Sequence, residues 1–163
     1  MKDEKLMQVV YMAVRNLFHK YFTRDFEIDR PVTSSLPEVC GEVLSVTAFQ
    51  YQCTGYLALQ STRTGAGFYY TSLTGHSAVT ELDEMAAASA EFLNLLAGMV
   101  KRHYDRHQLV FSFSLPTTWL DGKANHLPDL GAEPEIYRYQ LHFKSCSSFL
   151  WLVMSDSYSY NNK

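Results

Sequence analysis

The stretch that decides the fold is Ala87–Gly98, "AASAEFLNLLAG". Its apolar residues recur at helical rather than strand spacing, and the pattern extends both ways, from about Thr80 to about His103. On a wheel of about 100° per residue, Leu82, Met85, Ala88, Phe92, Leu93, Leu95, Leu96, Met99 and Val100 cover one broad buried side. Asp83, Glu84, Glu91, Asn94, Lys101, Arg102 and Asp105 fall on the other side. Thr80 is the expected N-cap, and Glu81, Asp83 and Glu84 place negative charge in the first turn, where the helix dipole favours it.

The outward side of this helix is unusual. Ala87, Glu91, Asn94 and Gly98 follow one ridge, with Ala90 and Ala97 beside it. A solvated face normally carries long charged side chains. This one is bare except for one carboxylate and one carboxamide, three residues apart. Gly98 also costs helix stability, about 0.8–1 kcal/mol relative to alanine. The pattern suits close approach by another macromolecule, with Ala87, Ala90 and Gly98 as docking surface and Glu91 and Asn94 reaching into the partner. On the helix alone, a plain solvated surface is the other reading, because Glu, Asn and Ala are all ordinary there.

Outward from this helix the chain reads as one domain. It has 163 residues, 47% hydrophobic and 19% charged, which suits a single core spanning residues 1–155. The tail "SDSYSYNNK", essentially residues 156–163, is expected to be frayed. Residues 4–22 form an amphipathic helix through Leu6, Val10, Ala13, Val14, Leu17, Phe18 and Tyr21. Asp29, Pro31 and Pro37 mark a loop. "CGEVLSVTAFQY" and "GYLALQST" are strands turning through "QCTG", and "GFYYTSL" (67–73) reads as a third strand. After the long helix, "QLVFSFSL" alternates as a strand up to Pro116, and residues 116–135 read as loop. "EIYRYQLHF" and "FLWLVM" close the chain as a hairpin through "KSCSS". The expected architecture is α+β: an antiparallel sheet of about six strands with two long helices packed on it.

Charge and cysteines narrow the function. A net charge of −3 argues against a general nucleic-acid or anionic-membrane binder. Cys40, Cys53 and Cys146 form neither a disulfide framework nor a paired-cysteine zinc site, which points to a reducing, cytoplasmic setting. The N-terminal residues lack a signal-peptide pattern, and no segment offers the roughly 18 unbroken apolar residues of a membrane span. His103 and His107 have ligand-like spacing but no partner motif, and no metal or cofactor site is expected in the chain. "TGAG" lacks the ending of a phosphate loop, Ser89 faces the apolar side, and Tyr69, Tyr70, Tyr137, Tyr139 and Trp151 read as packing residues.

With these residues in hand, the sequence resembles the CheX-like members of the CheC/CheX/FliY chemotaxis phosphatases. Their motif is Glu-x-x-Asn on a long helix followed by a proline. Glu91 and Asn94 fill it, and Pro116 comes after twenty-one intervening residues. "NLLAG", "GEVLSVTAF…CTGYLALQ", "TSLTG" and "PTTWLDG" resemble segments around that motif, so the likeness is best over residues 38–122. Ala87 departs from the Asp or Ser often found four residues before the glutamate. The resemblance implies dephosphorylation of a phosphorylated CheY-like receiver domain. Asn94 and Glu91 would be the catalytic pair, Mg2+ would be held by the receiver, and the protein would form a symmetric dimer through sheet edges. The apolar "FLWLVM" strand supports such an edge, since an uncovered apolar edge strand is prone to pairing. Two other readings are a non-catalytic receiver-binding module of the same fold and an unrelated structural domain.

Overall fold

The computed structural model describes residues 4–22, 26–36, 41–76, 81–131, 133–143 and 146–155. Along the chain come α1 (Glu4–Tyr21), β1 (Phe26–Ile28), β2 (Val32–Thr33), β3 (Val43–Gln50) and β4 (Thr54–Ser61). Then follow α2 (Arg63–Thr74), α3 (Leu82–Asp105), β5 (Ser112–Phe113), β6 (Thr117–Trp119), a 3-10 turn at Ala124–His126, β7 (Glu135–Phe143) and β8 (Cys146–Met154). The strands form one antiparallel sheet in the order β1-β7-β8-β4-β3-β5, with β2 also on β7 and β6 also on β3. The α+β class and the antiparallel sheet agree with the sequence reading. The sheet has eight strands rather than about six.

Both faces of the sheet are covered, and the period of two along each strand sorts the side chains. Leu57 and Leu59, Tyr137, Tyr139 and Leu141, and Leu150, Leu152 and Met154 meet the helices in the larger core with Leu6, Val10, Val14, Phe92, Leu96 and Val100. Tyr56, Ala58, Ile136, Trp151 and Val153 point to the opposite face. There they meet Trp119, Ala124, Leu127 and Leu130. The segment read as loop over residues 116–135 is thus the lid of the second face, and it contains β6 and the 3-10 turn. Trp119 stacks on His126 at 4.6 Å, and His126 Nε2 lies 2.8 Å from Asp121 Oδ1.

This two-sided covering corrects the reading of "FLWLVM". It is not an edge. β8 pairs with β4 on one side and β7 on the other. Near-continuous apolar character marks a strand buried on both faces, not one open to pairing. The open edges are β1/β2 and β5/β6.

Three further expectations change. "GFYYTSL" lies in the helix α2, not in a strand. Phe and Tyr favour strands, but local capping and packing decide otherwise. Thr62 is the N-cap, its Oγ1 accepting from the Gly65 N–H at 3.1 Å. Gly75 ends the helix at φ 72°, its N–H donating to the Thr71 carbonyl at 2.9 Å. Tyr69 is fully buried and its hydroxyl meets Ser148 Oγ at 2.7 Å. The chain around Asp29 and Pro31 is not all loop but holds the short strands β1 and β2. Finally, α3 runs Leu82–Asp105 with Glu81 at the cap position. Thr80 and Cys40, like the tail from residue 156 on, lie outside the described residues. Cys53 sits in the β3–β4 turn, as the "QCTG" reading places it.

An aromatic cluster fixes α1 and α3 on the sheet. Phe18 stacks on Phe26 at 3.4 Å and meets Phe92 at 5.1 Å and Phe143 at 5.6 Å. Tyr139 adds a hydrogen bond from its hydroxyl to the Met7 carbonyl at 2.9 Å. No helix among the described residues is long and apolar enough to cross a membrane.

Candidate functional site

α3 presents the ridge expected from the wheel. Met85, Ala88, Phe92, Leu93, Leu96 and Val100 are buried, while Ala87, Glu91 and Asn94 are exposed and Ala90 and Gly98 half-buried. One flanking alanine differs from expectation: Ala97 turns inward, at 3% exposure, and Ala86 is buried too, at 5%. Ala86 packs with Val43, Ala66 and Met85 where α2 crosses α3. Gly67 permits that crossing, since a Cβ there would stand 3.1 Å from Met85 Sδ.

Glu91 and Asn94 make no hydrogen bond or ion pair with any other described side chain. The nearest cations along the helix differ: Lys101 is tied to Asp105 at 2.7 Å, one turn further on. The pair is therefore a free carboxylate beside a free carboxamide, both facing water. Gly98 is not required by packing, for a Cβ built on it meets nothing within 4 Å.

Asn94 also borders a cleft that sequence reasoning missed. Leu95, Ala97, Gly98, Lys101 and Arg102 form one wall with it, and Ser112–Leu115 form the other, around about 580 Å³. The second wall is the segment before Pro116. It is held on the β3 edge by Phe49↔Phe113 and Gln50↔Ser112, and by three bonds to Ser114. Ser114 N–H donates to the Ala48 carbonyl at 2.9 Å, its Oγ accepts from the Ala48 N–H at 3.0 Å, and its carbonyl accepts from Thr47 Oγ1 at 2.6 Å. Pro116 offers no N–H, so the ladder breaks there and resumes in β6, opposite Leu44, Ser45 and Val46. This break separates β5 from β6, and within "QLVFSFSL" only Ser112–Phe113 is strand. It leaves Leu115 82% exposed at the mouth of the cleft. The Asn-to-proline spacing was the available signal: it places the bend across the cleft from the asparagine.

The described residues contain no cluster of three or more His, Cys, Asp or Glu side chains able to hold a metal ion. The site offers hydrogen bonding: a carboxamide that donates and accepts, a carboxylate that accepts, and a cleft beside them.

No family model matches the chain, and no curated relative matches it. Solved structures do. A chemotaxis protein CheX from Desulfovibrio desulfuricans matches with a TM-score of 0.75 at 12% identity, over 93% of this chain and 99% of that one. A CheC-like superfamily protein from Shewanella sp. PV-4 gives 0.77 at 11%, over 95% and 99%. CheX in a complex with CheY, BeF3 and Mg2+ from Borrelia burgdorferi gives 0.71 at 14%, over 91% and 97%. The chain has the fold of the CheC/CheX/FliY chemotaxis proteins.

Proposed function

We propose that this protein is a CheX-type phosphatase that hydrolyses the aspartyl phosphate of a CheY-like receiver domain in chemotaxis or related two-component signalling. The observation that carries the reading is the α3 ridge: Glu91 and Asn94 exposed and unpartnered, beside an exposed Ala87 and a Gly98 whose smallness no neighbour within the chain requires. The neighbouring CheX–CheY complex supports a receiver as the partner, and BeF3 has the shape and charge of a phosphoryl group.

The chemistry fits the pair. An aspartyl phosphate is a reactive acyl phosphate, and its hydrolysis lacks a well-placed water. The Asn94 carboxamide donates to and accepts from one water at once, holding it in line with phosphorus. The same logic governs the glutamine that orients water in small GTPases. A hundredfold acceleration corresponds to about 2.7 kcal/mol of barrier, within reach of one oriented amide and excluded solvent. Glu91 suits docking better than chemistry, because its charge would repel the anionic phosphoryl oxygens at the reacting centre. It pairs instead with a receiver lysine and fixes the register. Ala87, Ala90 and Gly98 let the receiver close on the helix. Mg2+ belongs to the receiver, and the setting is the cytoplasm.

The decay of phosphorylated receiver with and without the protein tests this reading. Acceleration supports it, and unchanged decay with every receiver offered counts against it. Ala87 is the observation that favours the second reading, a receiver-binding module without hydrolysis, because it leaves the ridge without a polar group one turn before Glu91. Binding with unchanged decay would select that reading. We also propose a two-fold homodimer through an open sheet edge. Val32, 48% exposed on β2, marks one such edge. A monomer at micromolar concentration by sedimentation would refute the dimer.

A further inference from the structure

The net charge of −3 conceals a local cationic trough. It runs between α1 and α3, on the face of α3 adjoining the cleft beside Asn94, and encloses about 430 Å³. Its rim carries Lys5 from α1 and Arg102, His103 and Arg106 from the end of α3, and no carboxylate lines it. Among the described residues, none of Lys5, Arg102 and Arg106 stands in an ion pair. Its floor is apolar and partly open: Met12 is 47% exposed, with Val9 and Met99 half-buried beside it. Burial, then the like charges of His107, Lys5 and Arg106, lower the His103 pKa from its ordinary value. The local field is therefore positive, by geometry and by its effect on a neighbour.

We infer that this trough docks an acidic amphipathic helical segment of a partner protein, its apolar stripe on Met12 and Met99 and its carboxylates against Lys5, Arg102 and Arg106. Shape selects this occupant. The trough is open along its length, whereas a small-molecule site buries most of its ligand. It is concave, so a flat lipid surface would reach the cations without covering the methionines. The lining spans Lys5–Asn16 on α1 and Met99–Arg106 on α3, about 16 Å and 10 Å at 1.5 Å per residue, the length of two to three helical turns. Helix-in-groove recognition reads apolar anchors at i, i+3, i+4 and i+7, and methionine floors adapt to them. Opposite charge on the flanks supplies the on-rate and the register. Arg102 lines this trough and the cleft beside Asn94 alike, so a segment seated here lies next to the receiver-docking ridge.

The test uses the full chain and a fluorescein-labelled peptide of about 15 residues, long enough to hold helix. The peptide carries leucines at i, i+3, i+4 and i+7 and glutamates on both flanks. The expected result is saturable anisotropy binding that weakens as salt rises. Lys5→Glu with Arg106→Glu should weaken it by about tenfold or more. Met12→Glu, exposed and therefore harmless to folding by circular dichroism, should abolish it. Asn94→Ala should leave it unchanged, which separates this surface from the receiver site. No binding, binding untouched by both variants, equal binding of a scrambled peptide of the same charge, or binding only to phosphatidylserine vesicles would overturn the inference.

Discussion

The seam between β4 and β8 and the outer ridge of α3 both rely on residues with little side chain, for opposite reasons. At the seam, a Cβ on Gly55 would collide with the Val153 carbonyl oxygen and the Phe49 ring, so the fold itself demands glycine. On the ridge, a Cβ on Gly98 meets nothing within 4 Å. Gly55 is explained by its neighbours in the chain. Gly98, which weakens its own helix, is not, and the proposed docking of a receiver would account for it. The contrast separates residues that make the structure from residues that use it.

The contrast breaks most visibly at the seam. Gly55→Ala should cost about 3 kcal/mol, the upper end for overpacking against backbone and a buried ring. Urea titration should show a lower midpoint with unchanged slope. A loss under about 0.5 kcal/mol would mean that the seam has slack. Next in size is the interior bond between α2 and β8. Tyr69→Phe leaves the buried Ser148 hydroxyl without its 2.7 Å partner and should cost about 1–3 kcal/mol. On the ridge the sign reverses. Gly98→Ala should stabilise the fold by about 0.8–1 kcal/mol while weakening receiver binding. Stabilisation with unchanged binding would remove the argument that Gly98 serves a partner.

The smallest effect lies at the far end of α3. His103 should titrate below its ordinary 6.5 in NMR, because burial and then the cations around it disfavour its charged form. The unfolded chain then binds the proton more tightly, so stability is complete above pH 6.5 and declines slightly as pH falls through that value. Arg106→Gln should raise the titration midpoint, and an unmoved midpoint would show that the trough's charges do not reach His103.

What was legible in the sequence follows the range of the forces involved. The β3–β4 hairpin, β7 and the face of α3 with Glu91 and Asn94 were readable because local period and turn residues set them. α2 was not, because its Phe and Tyr favour strand while its Thr62 and Gly75 caps and the burial of Tyr69 favour helix. "FLWLVM" misled for a related reason: apolar on every position describes a strand at the centre of a sheet, and the covering from residues 119–130 is not adjacent in sequence. The Ser112–Leu115 wall and the α1–α3 trough are made by distant segments meeting in space. Pro116 hinted at the first. Nothing local hinted at the second, where Lys5 and Arg106 come from helices at distant positions in the sequence.

In the proposed division of labour, Asn94 performs chemistry while the surface around it, with Glu91, performs docking. Single-turnover decay of phosphorylated receiver, followed across a concentration series at two salt levels, tests it most directly. Asn94→Ala should remove about a hundredfold of stimulated hydrolysis, not recovered at any concentration, with binding nearly intact. Glu91→Gln should weaken binding, flatten its salt dependence and keep much of its turnover at saturation. If Asn94→Ala hydrolyses at the parent rate, or Glu91→Gln loses turnover at saturation with unchanged affinity, the assignment of roles is wrong.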